Sequence, residues 1–502
     1  MSDAHDPLES LPPRARDLAH RTLAWCDLWW DEAAGLARAP DAAGFAGPGV
    51  PAGPLHLVPQ SAWYAFGLLL RDAHEGGDRA RAVRVLETLL ALQYDEPGAV
   101  WNGTFARFPE SPRPPRDGAV IWADYDPNWR QFIGTCFLQI LARFPGALPA
   151  GLVAGMEGAL RRAVEGEPRD RVHASYANIA LMKAYLEVEA GARLGEPGWL
   201  RSGEALARAV VERFDAHGAF EEYNSPTYYG IDLFALALWA GSRSPLLARE
   251  GPRLARALWR DLARWYHAGL RNLCGPYTRT YGMDLSGYVA QISLWLWREL
   301  GTEHAPLPPL DRAAEHGHDF FIGPLIAALG TPLPDDARGA FLAFPGPHAA
   351  RQRICDQPVR EATGWLDERW MAGAERCGAD LSWWDQYVAA TLHWRHPDGG
   401  VCWLALRAPG PIAACADREG LALAWDDAAP REAVATLHLP GDAQPAARAP
   451  ASGVWQGVWH LPGLALEIAG ERLAAETGGS RLRLRSTVRD GVNGIWLRLV
   501  PG

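Results

Sequence analysis

Polar and aromatic side chains that a helix core does not require recur at five places within the first 285 residues. Each place lies just before, or in the first turn of, a segment apolar enough to form a buried helix. Amide and guanidinium groups donate hydrogen bonds to carboxylates, and a tyrosine or histidine can transfer a proton. These residue types therefore predict binding of an anionic ligand and proton transfer. The candidates are Trp101, Asn102, Asn128, Trp129, Arg130, His173, Tyr176, Asn178, Glu222, Tyr223, Asn224, Tyr228, Tyr229, Arg279, Tyr281 and Asp284.

The elements that must position these residues are helices of two kinds. Apolar, inner helices are predicted at 61–74, 128–144, 175–194, 227–242 and 286–300. Outer helices with a single apolar stripe are predicted at 78–93, 149–166, 198–217 and 246–273, after a first helix at 13–37. The two kinds alternate, which predicts an α/α toroid, closed or incomplete. Alternation would point the N-terminal ends of all inner helices, with their positive dipole ends, at one mouth of the toroid.

The pattern changes after residue 329, where apolar residues alternate with period two between turns rich in Gly, Pro and Asp. This pattern predicts a C-terminal antiparallel β-sandwich. We therefore expect a mainly α fold with a β domain. The toroid and its catalytic cleft would occupy 1–329, a linker or bridge 330–385, and the sandwich 386–502.

Composition excludes several classes of partner. A net charge of −10 over 502 residues argues against nucleic acid. No apolar run approaches the roughly 20 residues that span a bilayer. The N-terminal segment lacks the pattern of a signal peptide, and the seven scattered cysteines indicate a reducing compartment, so a cytoplasmic location is expected. The oligomeric state stays open.

No metal or cofactor is expected from the sequence. The close histidine pairs are His316 with His318 and His393 with His396, and neither has an acidic partner at a recognisable ligand spacing. Neither a glycine-rich phosphate loop nor a GxSxG nucleophile motif occurs in the sequence.

Short motifs within 130–285 resemble, distantly, polysaccharide lyases of the chondroitin, hyaluronate and xanthan lyase type. Those proteins combine an α/α toroid with β-sandwich domains and cleave uronate-containing chains by β-elimination. The similar stretches here are Asn128-Trp129 followed by Ile133-Gly134, Ala177-Asn178, Gly218-Ala219-Phe220, Glu222-Tyr223, Tyr228-Tyr229-Gly230, and Arg279 on a later loop. The resemblance implies that Asn178 contacts the carboxylate of a uronate.

The sequence departs from this family at one position that matters for chemistry. Tyr223, followed by Asn224, stands where the family has its catalytic histidine. His173, on the preceding inner loop, is the alternative base. The chain is also shorter than typical members and shows no signal peptide, which favours a small-molecule or oligosaccharide substrate inside the cell over an extracellular polymer.

The leading hypothesis is therefore β-elimination next to a carboxylate. Asn178 and Arg279, with Asn128 or Asn224, would neutralise the carboxylate and stabilise the enolate-like charge that develops. Tyr228 would then remove or deliver the proton. Because an ordinary tyrosine has a pKa of about 10, it needs a cation beside it to act as a base, and Arg279 is the candidate.

Three alternatives stay open at this stage. A toroid glycoside hydrolase would use two carboxylates, drawn from Glu222, Asp126, Asp232 and Asp284. A toroid dehydratase-isomerase of the linalool type would act on an apolar alcohol in a tryptophan-rich cleft. A sugar-binding protein without turnover would explain the missing histidine.

Overall fold

The computed structural model describes residues 7–40, 50–72, 77–310, 314–382, 384–427, 429–440, 453–472, 481–489 and 492–500. The first six residues, part of the segment assessed for a signal peptide, lie outside this set. The chain forms two compact units. We call Met1–Glu212, Gly230–Ala255 and Gly287–Pro332 the helical unit, and Arg213–Tyr229, Arg256–Ser286 and Leu333–Gly502 the sheet unit.

The N-terminal two thirds of the chain is helical, as the sequence pattern predicts. None of the described helices is both long and apolar enough to cross a membrane. A 3-10 helix, Gly317–Ile322, precedes α11. The α-helices are α1 (Pro13–Asp27), α2 (Val58–Arg71), α3 (Asp78–Ala91), α4 (Trp129–Arg143), α5 (Ala150–Glu165), α6 (Ala177–Leu194), α7 (Pro197–His217), α8 (Tyr229–Ala240), α9 (Pro245–Trp265), α10 (Gln291–Leu300), α11 (Gly323–Leu329) and α12 (Asp335–Leu342).

Burial separates the helices of the helical unit into two kinds. Helices α2, α4, α6 and α10 are buried along almost their whole length. Helices α3 and α5 bury one face only, because their other faces carry arginine and glutamate. Within this unit α2 packs on α3 and α4, and α4 packs on α5 and α6. The predicted difference between inner and outer helices is therefore present, while closure into a toroid stays a prediction.

Two predicted helices end earlier than expected. The helix predicted at 13–37 ends at Asp27, and the chain then forms strands β1 (Trp30–Asp31) and β2 (Leu36–Arg38), which pair with β3 (His56–Leu57). Gly35, at a φ of 68°, allows the tight turn between the first two strands. The helix predicted at 246–273 ends at Trp265, and a small hairpin of β4 (Tyr266–His267) and β5 (Asn272–Leu273) follows.

The C-terminal part is an antiparallel sheet. Its strands are β6 (His348–Asp356), β7 (Val359–Leu366), β8 (Trp370–Cys377), β9 (Ala390–Arg395), β10 (Val401–Arg407), β11 (Ile412–Asp417), β12 (Gly420–Trp425), β13 (Glu432–His438), β14 (Gly453–Leu461), β15 (Leu464–Arg472), β16 (Arg481–Arg485), β17 (Thr487–Arg489) and β18 (Val492–Leu499). Its order is β11-β12-β18-β15-β16-β13-β10-β9-β8-β7-β6, with β14 on β15 and β17 on β18.

A further pairing joins β11, the first strand in this order, to β8, the third strand from the other end. Ile412 of β11 pairs with Cys377 of β8, so the strand pairings return on themselves and β8 and β11 are not free edges. Leucine, alanine and tryptophan side chains from these strands form one buried core. The antiparallel sheet is confirmed, and its arrangement as a two-layer sandwich stays a prediction.

The stretch 330–385, interpreted from sequence as a bridge, contains helix α12 and strands β6, β7 and β8. The sheet therefore begins at His348, well before residue 386. Its first strands were hard to identify because β6 carries several charged residues and is only partly buried, which weakens the alternation of apolar side chains.

Candidate functional site

The sheet unit brings together two segments, 218–229 and 274–284, that carry half of the predicted site residues. Asn224 joins them: its side-chain nitrogen donates to the carbonyl oxygens of Cys274 at 2.6 Å and Pro276 at 2.9 Å. Its backbone N–H donates to the Tyr229 hydroxyl at 2.6 Å. Asn224 has a φ of 48°, a left-handed conformation that asparagine tolerates better than most residues. Its amide therefore holds the two segments in register.

Arg279 lies in the centre of this cluster. Its Nη1 donates to Glu222 Oε1 at 2.8 Å, and its Nε donates to Gln386 Oε1 at 2.8 Å. The side chains of Arg279 and Glu222 are only 9% and 5% exposed. Because a buried charge requires a partner, Glu222 neutralises Arg279 and fixes the plane of its guanidinium group.

The same guanidinium group contacts Tyr228. Arg279 Nη2 donates to the Tyr228 hydroxyl at 2.5 Å, and the guanidinium carbon lies 3.6 Å from the centre of the Tyr228 ring. The centre of the Trp384 ring lies 4.7 Å from the same guanidinium carbon. Tyr228 is half-buried, and its hydroxyl also lies 2.7 Å from that of Tyr281, which is 40% exposed. The Tyr228 hydroxyl oxygen therefore has a buried cation on one side and a second phenol within hydrogen-bond distance.

A second buried ion pair supports both loop segments from the sheet. Arg360 on β7 donates to the carbonyl oxygen of Glu221 at 2.8 Å and to the hydroxyl of Thr278 at 2.8 Å. Its Nε donates to Glu375 on β8 at 2.5 Å. Burial alone would lower the pKa of Arg360, but the Glu375 carboxylate raises it above its ordinary value. Arg360 is therefore charged. Its hydrogen bonds to Glu221 and Thr278 connect the segment that carries Tyr228 with the segment that carries Arg279.

Two further predicted residues in this unit have contacts of a structural kind. Tyr223 is 1% exposed, and its hydroxyl donates to Asp261 at 3.1 Å. Burial, together with the Asp261 charge, raises the pKa of Tyr223 well above its ordinary value, so it stays protonated. Asp284 accepts a hydrogen bond from the Ser286 N–H at 2.9 Å in a turn, and burial raises its pKa.

The other predicted residues lie in the helical unit, where Asn128 and Tyr176 meet. The Asn128 side-chain nitrogen donates to the Tyr176 hydroxyl at 3.1 Å, and its oxygen accepts from Arg171 Nη1 at 2.8 Å. Arg171 in turn pairs with Glu167, whose pKa is lowered by Arg171 and Arg130 against the opposing effect of burial. Asn128 thus belongs to a charged network at the start of α4.

Two predicted ligand-binding residues in the helical unit, Arg130 and Trp101, donate hydrogen bonds to backbone carbonyl groups. Arg130 is fully buried and donates to the carbonyl oxygens of Asn102 at 2.5 Å and Val100 at 3.0 Å. Trp101 is 1% exposed, and its indole N–H donates to the Pro115 carbonyl at 2.8 Å. These contacts close the 94–105 loop onto the start of α4.

The remaining predicted residues of this unit lie in the first turns of α4 and α6 or in the loop before α6. Asn178 is fully buried in the first turn of α6, and Trp129 is half-buried at the first residue of α4. His173 is exposed, and its Nδ1 lies 2.5 Å from the Ser175 hydroxyl. That these residues share a cleft with Tyr228 and Arg279 stays a prediction.

An acidic side chain does accompany one of the histidine pairs, contrary to the sequence interpretation. Ligand-type atoms of His316, His318 and Asp319 lie within 4.8 Å of one another. The three residues lie at the start of the 3-10 helix Gly317–Ile322 and not on an α-helix, so their spacing differs from that of helical metal-ligand motifs. His393 of the other pair is buried, with Nε2 at 3.0 Å from the Met283 carbonyl oxygen.

The sheet unit also contains a groove on the side of Asp261. Its volume is about 630 Å³, and Arg260, Asp261, Arg264, Asp336 and His348 are among its lining residues. Neither Tyr228 nor Arg279 lines it, so it gives no access to that contact.

A sequence profile of a protein family described as "Domain of unknown function (DUF8769)" matches residues 16–331, more than half of the chain. The chain belongs to this family. No curated protein matches the sequence significantly. The matched range of DUF8769 includes Tyr228 and Arg279 but ends before Arg360, Trp384 and Gln386, which support them.

Three solved structures of polysaccharide lyases are similar to this DUF8769 protein. A chondroitin AC lyase from Streptomyces coelicolor A3 is 13% identical, with a TM-score of 0.41, over 99% of this chain and 81% of that one. Heparinase III is 8% identical, with a TM-score of 0.38, over 100% and 86%. A heparan sulfate lyase from Pedobacter heparinus is 9% identical, with a TM-score of 0.32, over 100% and 86%. The distant resemblance suggested by the motifs is confirmed.

Sequence reasoning missed the residues that hold Arg279 and Arg360 in place. Trp384 and Gln386 lie between β8 and β9; Glu375 and Trp384 fall inside the stretch 330–385 that was interpreted as a bridge, and Gln386 follows it directly. The one available signal was composition: an aromatic and an amide stand together in a polar loop before a strand, a position where buried packing does not require them.

Proposed function

We propose that this protein is a carbohydrate-active lyase that cleaves a uronate-containing oligosaccharide or glycoside by β-elimination. The observation that supports it is the contact of Tyr228 with Arg279, a tyrosine whose oxygen receives a hydrogen bond from a buried, fixed cation. The proposal includes the α/α toroid and β-sandwich expected from the sequence.

Tyr228 acts as the base in this proposal. Its phenolate takes the proton from the carbon beside the substrate carboxylate. The electron pair of that C–H bond forms the new carbon–carbon double bond, and the bond to the leaving oxygen breaks. The phenol then returns the proton to the leaving oxygen, so that the tyrosine is restored at the end of each turnover.

Arg279 supplies the electrostatic part of the mechanism. Its charge stabilises the Tyr228 phenolate and offsets the negative charge that builds up on the substrate carboxylate in the transition state. Glu222 and Gln386 hold the guanidinium so that it does not reorganise during the reaction. Tyr281 keeps a second hydrogen bond on the Tyr228 oxygen.

The decisive experiment compares the wild-type protein with Tyr228→Phe on a panel of uronate-containing oligosaccharides. We expect the wild type to form products with the ultraviolet absorbance of a conjugated unsaturated uronate. Tyr228→Phe should lose more than about 1000-fold of this activity, because it removes the group that transfers the proton, while substrate binding by calorimetry stays within about threefold, since the ring and Arg279 remain.

Tyr185→Phe is the matched control. Tyr185 lies on α6, outside the tyrosine–arginine cluster, and its hydroxyl accepts a hydrogen bond from the Gln139 side chain on α4 at 2.7 Å. This variant should retain turnover. Products that are heavier than the lyase products by one water would instead support the hydrolase alternative. Unchanged turnover in Tyr228→Phe removes Tyr228 from the mechanism, and complete inactivity of the wild type on the panel contradicts the lyase proposal.

A further inference from the structure

A second cluster of chemically competent side chains lies in the helical unit, at the sequence His316-Gly317-His318-Asp319. His316 has a φ of 54° and directly precedes the 3-10 helix that begins at Gly317. This left-handed turn folds the short segment back so that one ligand-type atom from each of His316, His318 and Asp319 lies within 4.8 Å of the other two. These residues take no part in the tyrosine–arginine site of the sheet unit.

The segment that carries this cluster is firmly anchored. The residues that follow, Phe320 to Ile322, are fully buried, and the Phe320 ring lies 4.9 Å from that of Trp25 on α1. An added Cβ at Gly317 would come within 3.1 Å of the Trp25 ring, so a glycine lets the turn pack closely. The three side chains therefore project from a rigid turn.

Each of the three side chains has a defined environment. Asp319 is 8% exposed, and its Oδ1 accepts a hydrogen bond from the Gln291 side chain on α10 at 2.9 Å. His316 and His318 are half-buried, with ring centres 5.2 Å apart, and the Tyr288 ring lies 5.9 Å from that of His316. A buried carboxylate held by a neutral amide is stabilised by a nearby cation.

We propose that His316, His318 and Asp319 bind a divalent first-row transition metal, with zinc the preferred ion. Two imidazoles and one carboxylate are the donors found in open zinc and related sites, whereas magnesium and calcium favour sites built of oxygen donors alone. Three protein ligands leave at least one coordination position for water. The site is thus of the open kind.

The geometry requires only a small adjustment on binding. Zinc–ligand distances of about 2.0–2.1 Å place the donor atoms of a tetrahedral site about 3.3 Å apart. The donor atoms lie within 4.8 Å of one another, so binding requires them to approach by at most about 1.5 Å. Gln291 would then orient the Asp319 carboxylate from outside the metal, as outer-shell partners commonly do.

The test is metal binding by the full-length protein after removal of metals with a chelator. Cobalt(II) is added to the wild type, and the visible absorption bands of an ordered four- or five-coordinate site are followed. One equivalent of zinc should displace the cobalt and abolish these bands. We expect His316→Ala, His318→Ala and Asp319→Asn each to weaken zinc binding by at least about 100-fold, and Gln291→Ala by about 10-fold.

His304→Ala is the control, because it removes a histidine from the same unit at a position outside the cluster, and it should bind zinc as the wild type does. Zinc should also raise the melting temperature of the wild type and of His304→Ala but not of His316→Ala. Should His318→Ala fail to fold, His316→Ala, which alters a half-exposed side chain, decides the matter. Wild-type protein that binds less than one equivalent, or cluster variants that bind zinc normally, would overturn the proposal.

Discussion

At the scale of single residues, the proposed chemistry depends on how Arg279 is held. Its three hydrogen bonds, to Glu222, Gln386 and Tyr228, come from three different guanidinium nitrogens. A lysine carries the same charge but lacks this planar set of donors. The geometry, and not the charge alone, therefore determines whether the Tyr228 oxygen is stabilised.

Arg279→Lys tests this dependence. We expect turnover to fall by about 100-fold, the usual cost of losing a fixed donor to a reacting charge, and the pH–rate profile to shift toward higher pH. The matched control is Arg213→Lys, since Arg213 pairs with the neighbouring Glu221 in a half-exposed ion pair. A purely structural role for Arg279 predicts lower thermal stability without a shift of the pH profile.

Asp261 allows a prediction of pH-dependent stability. Burial raises its pKa above the ordinary 3.8, despite the hydrogen bonds from Arg264 and Tyr223. Folding therefore favours the protonated acid: its contribution is fully present below about pH 4 and is lost as the pH rises through the raised pKa. Urea unfolding at a series of pH values should show this decline, and Asp261→Asn should remove that part of it.

Asp336→Asn provides a control with the opposite sign. Asp336 is exposed and paired with Arg260, which lowers its pKa. Its contribution is present above its ordinary pKa and lost as the pH falls, so Asp336→Asn should weaken stability slightly at neutral pH and leave the Asp261-dependent decline intact. An unchanged pH profile in Asp261→Asn would contradict the assignment.

At the scale of elements, the close approach of the first turns of α8 and α10 depends on Gly230. Gly230, in the first turn of α8, lies so near the start of α10 that an added Cβ would be 2.5 Å from the Gln291 Cβ and 2.6 Å from the Ile292 nitrogen. Both contacts lie within the helical unit. A side chain here must push the two helix starts apart.

Gly230→Ala should therefore lower the free energy of unfolding by about 1–3 kcal/mol, the usual cost of overpacking a tight contact, as measured by urea titration. In Gly151→Ala, on α5, no described atom lies within 4 Å of the added Cβ. That control should be neutral or stabilising by less than about 1 kcal/mol, because alanine favours the helix over glycine. Equal effects of the two substitutions would show that the contact is not tight.

The presence of the helices, and whether each is buried all round or on one face, could be predicted from sequence because both determine the spacing of apolar residues. The buried length of α2 or α6 and the single buried face of α5 follow from apolar spacing. The end of α1 at Asp27 could not be predicted in this way, because the tryptophans that follow it fit a helix and a strand equally well. Tertiary pairing with β3 decides between them.

The candidate site, like the fold, could be predicted only in part. Tyr228 and Arg279 were recognisable from residue type and placement, and the structure places them in contact. Arg360 and Gln386 were not, because their role depends on a sheet that joins loops more than 80 residues away along the chain. Such partners follow from topology, which leaves no local pattern in the sequence.

At the scale of the whole molecule, the compact units do not follow the order of the chain. Segments 213–229 and 256–286 come from the predominantly helical part of the sequence but belong to the sheet unit. Tyr277 and Val388 exchange backbone hydrogen bonds at 3.1 and 3.0 Å, and Gln352 donates to the His217 carbonyl at 2.6 Å. The tyrosine–arginine site is thus assembled on the sheet.

A chain that ends at Pro332 tests this organisation. It retains the range matched by the DUF8769 profile but leaves segments 213–229 and 256–286 without the strands on which they pair. We expect it to unfold at a lower temperature than the full chain, by calorimetry, and to show no turnover, because buried backbone groups lose their partners. A truncated chain with full activity would contradict this assignment of units.

The contact of Arg279 with the loop at 384–386 has an evolutionary consequence. Trp384 lies against one face of the guanidinium, Gln386 holds its Nε through the side chain, and the carbonyl oxygen of Gln386 accepts from Thr280 at 3.0 Å. In the proposed mechanism, exchange of two or three side chains in this loop would change how Arg279 supports the Tyr228 oxygen, while the helices stayed the same. Relatives with the same helices could therefore diverge in reactivity through their sheets alone.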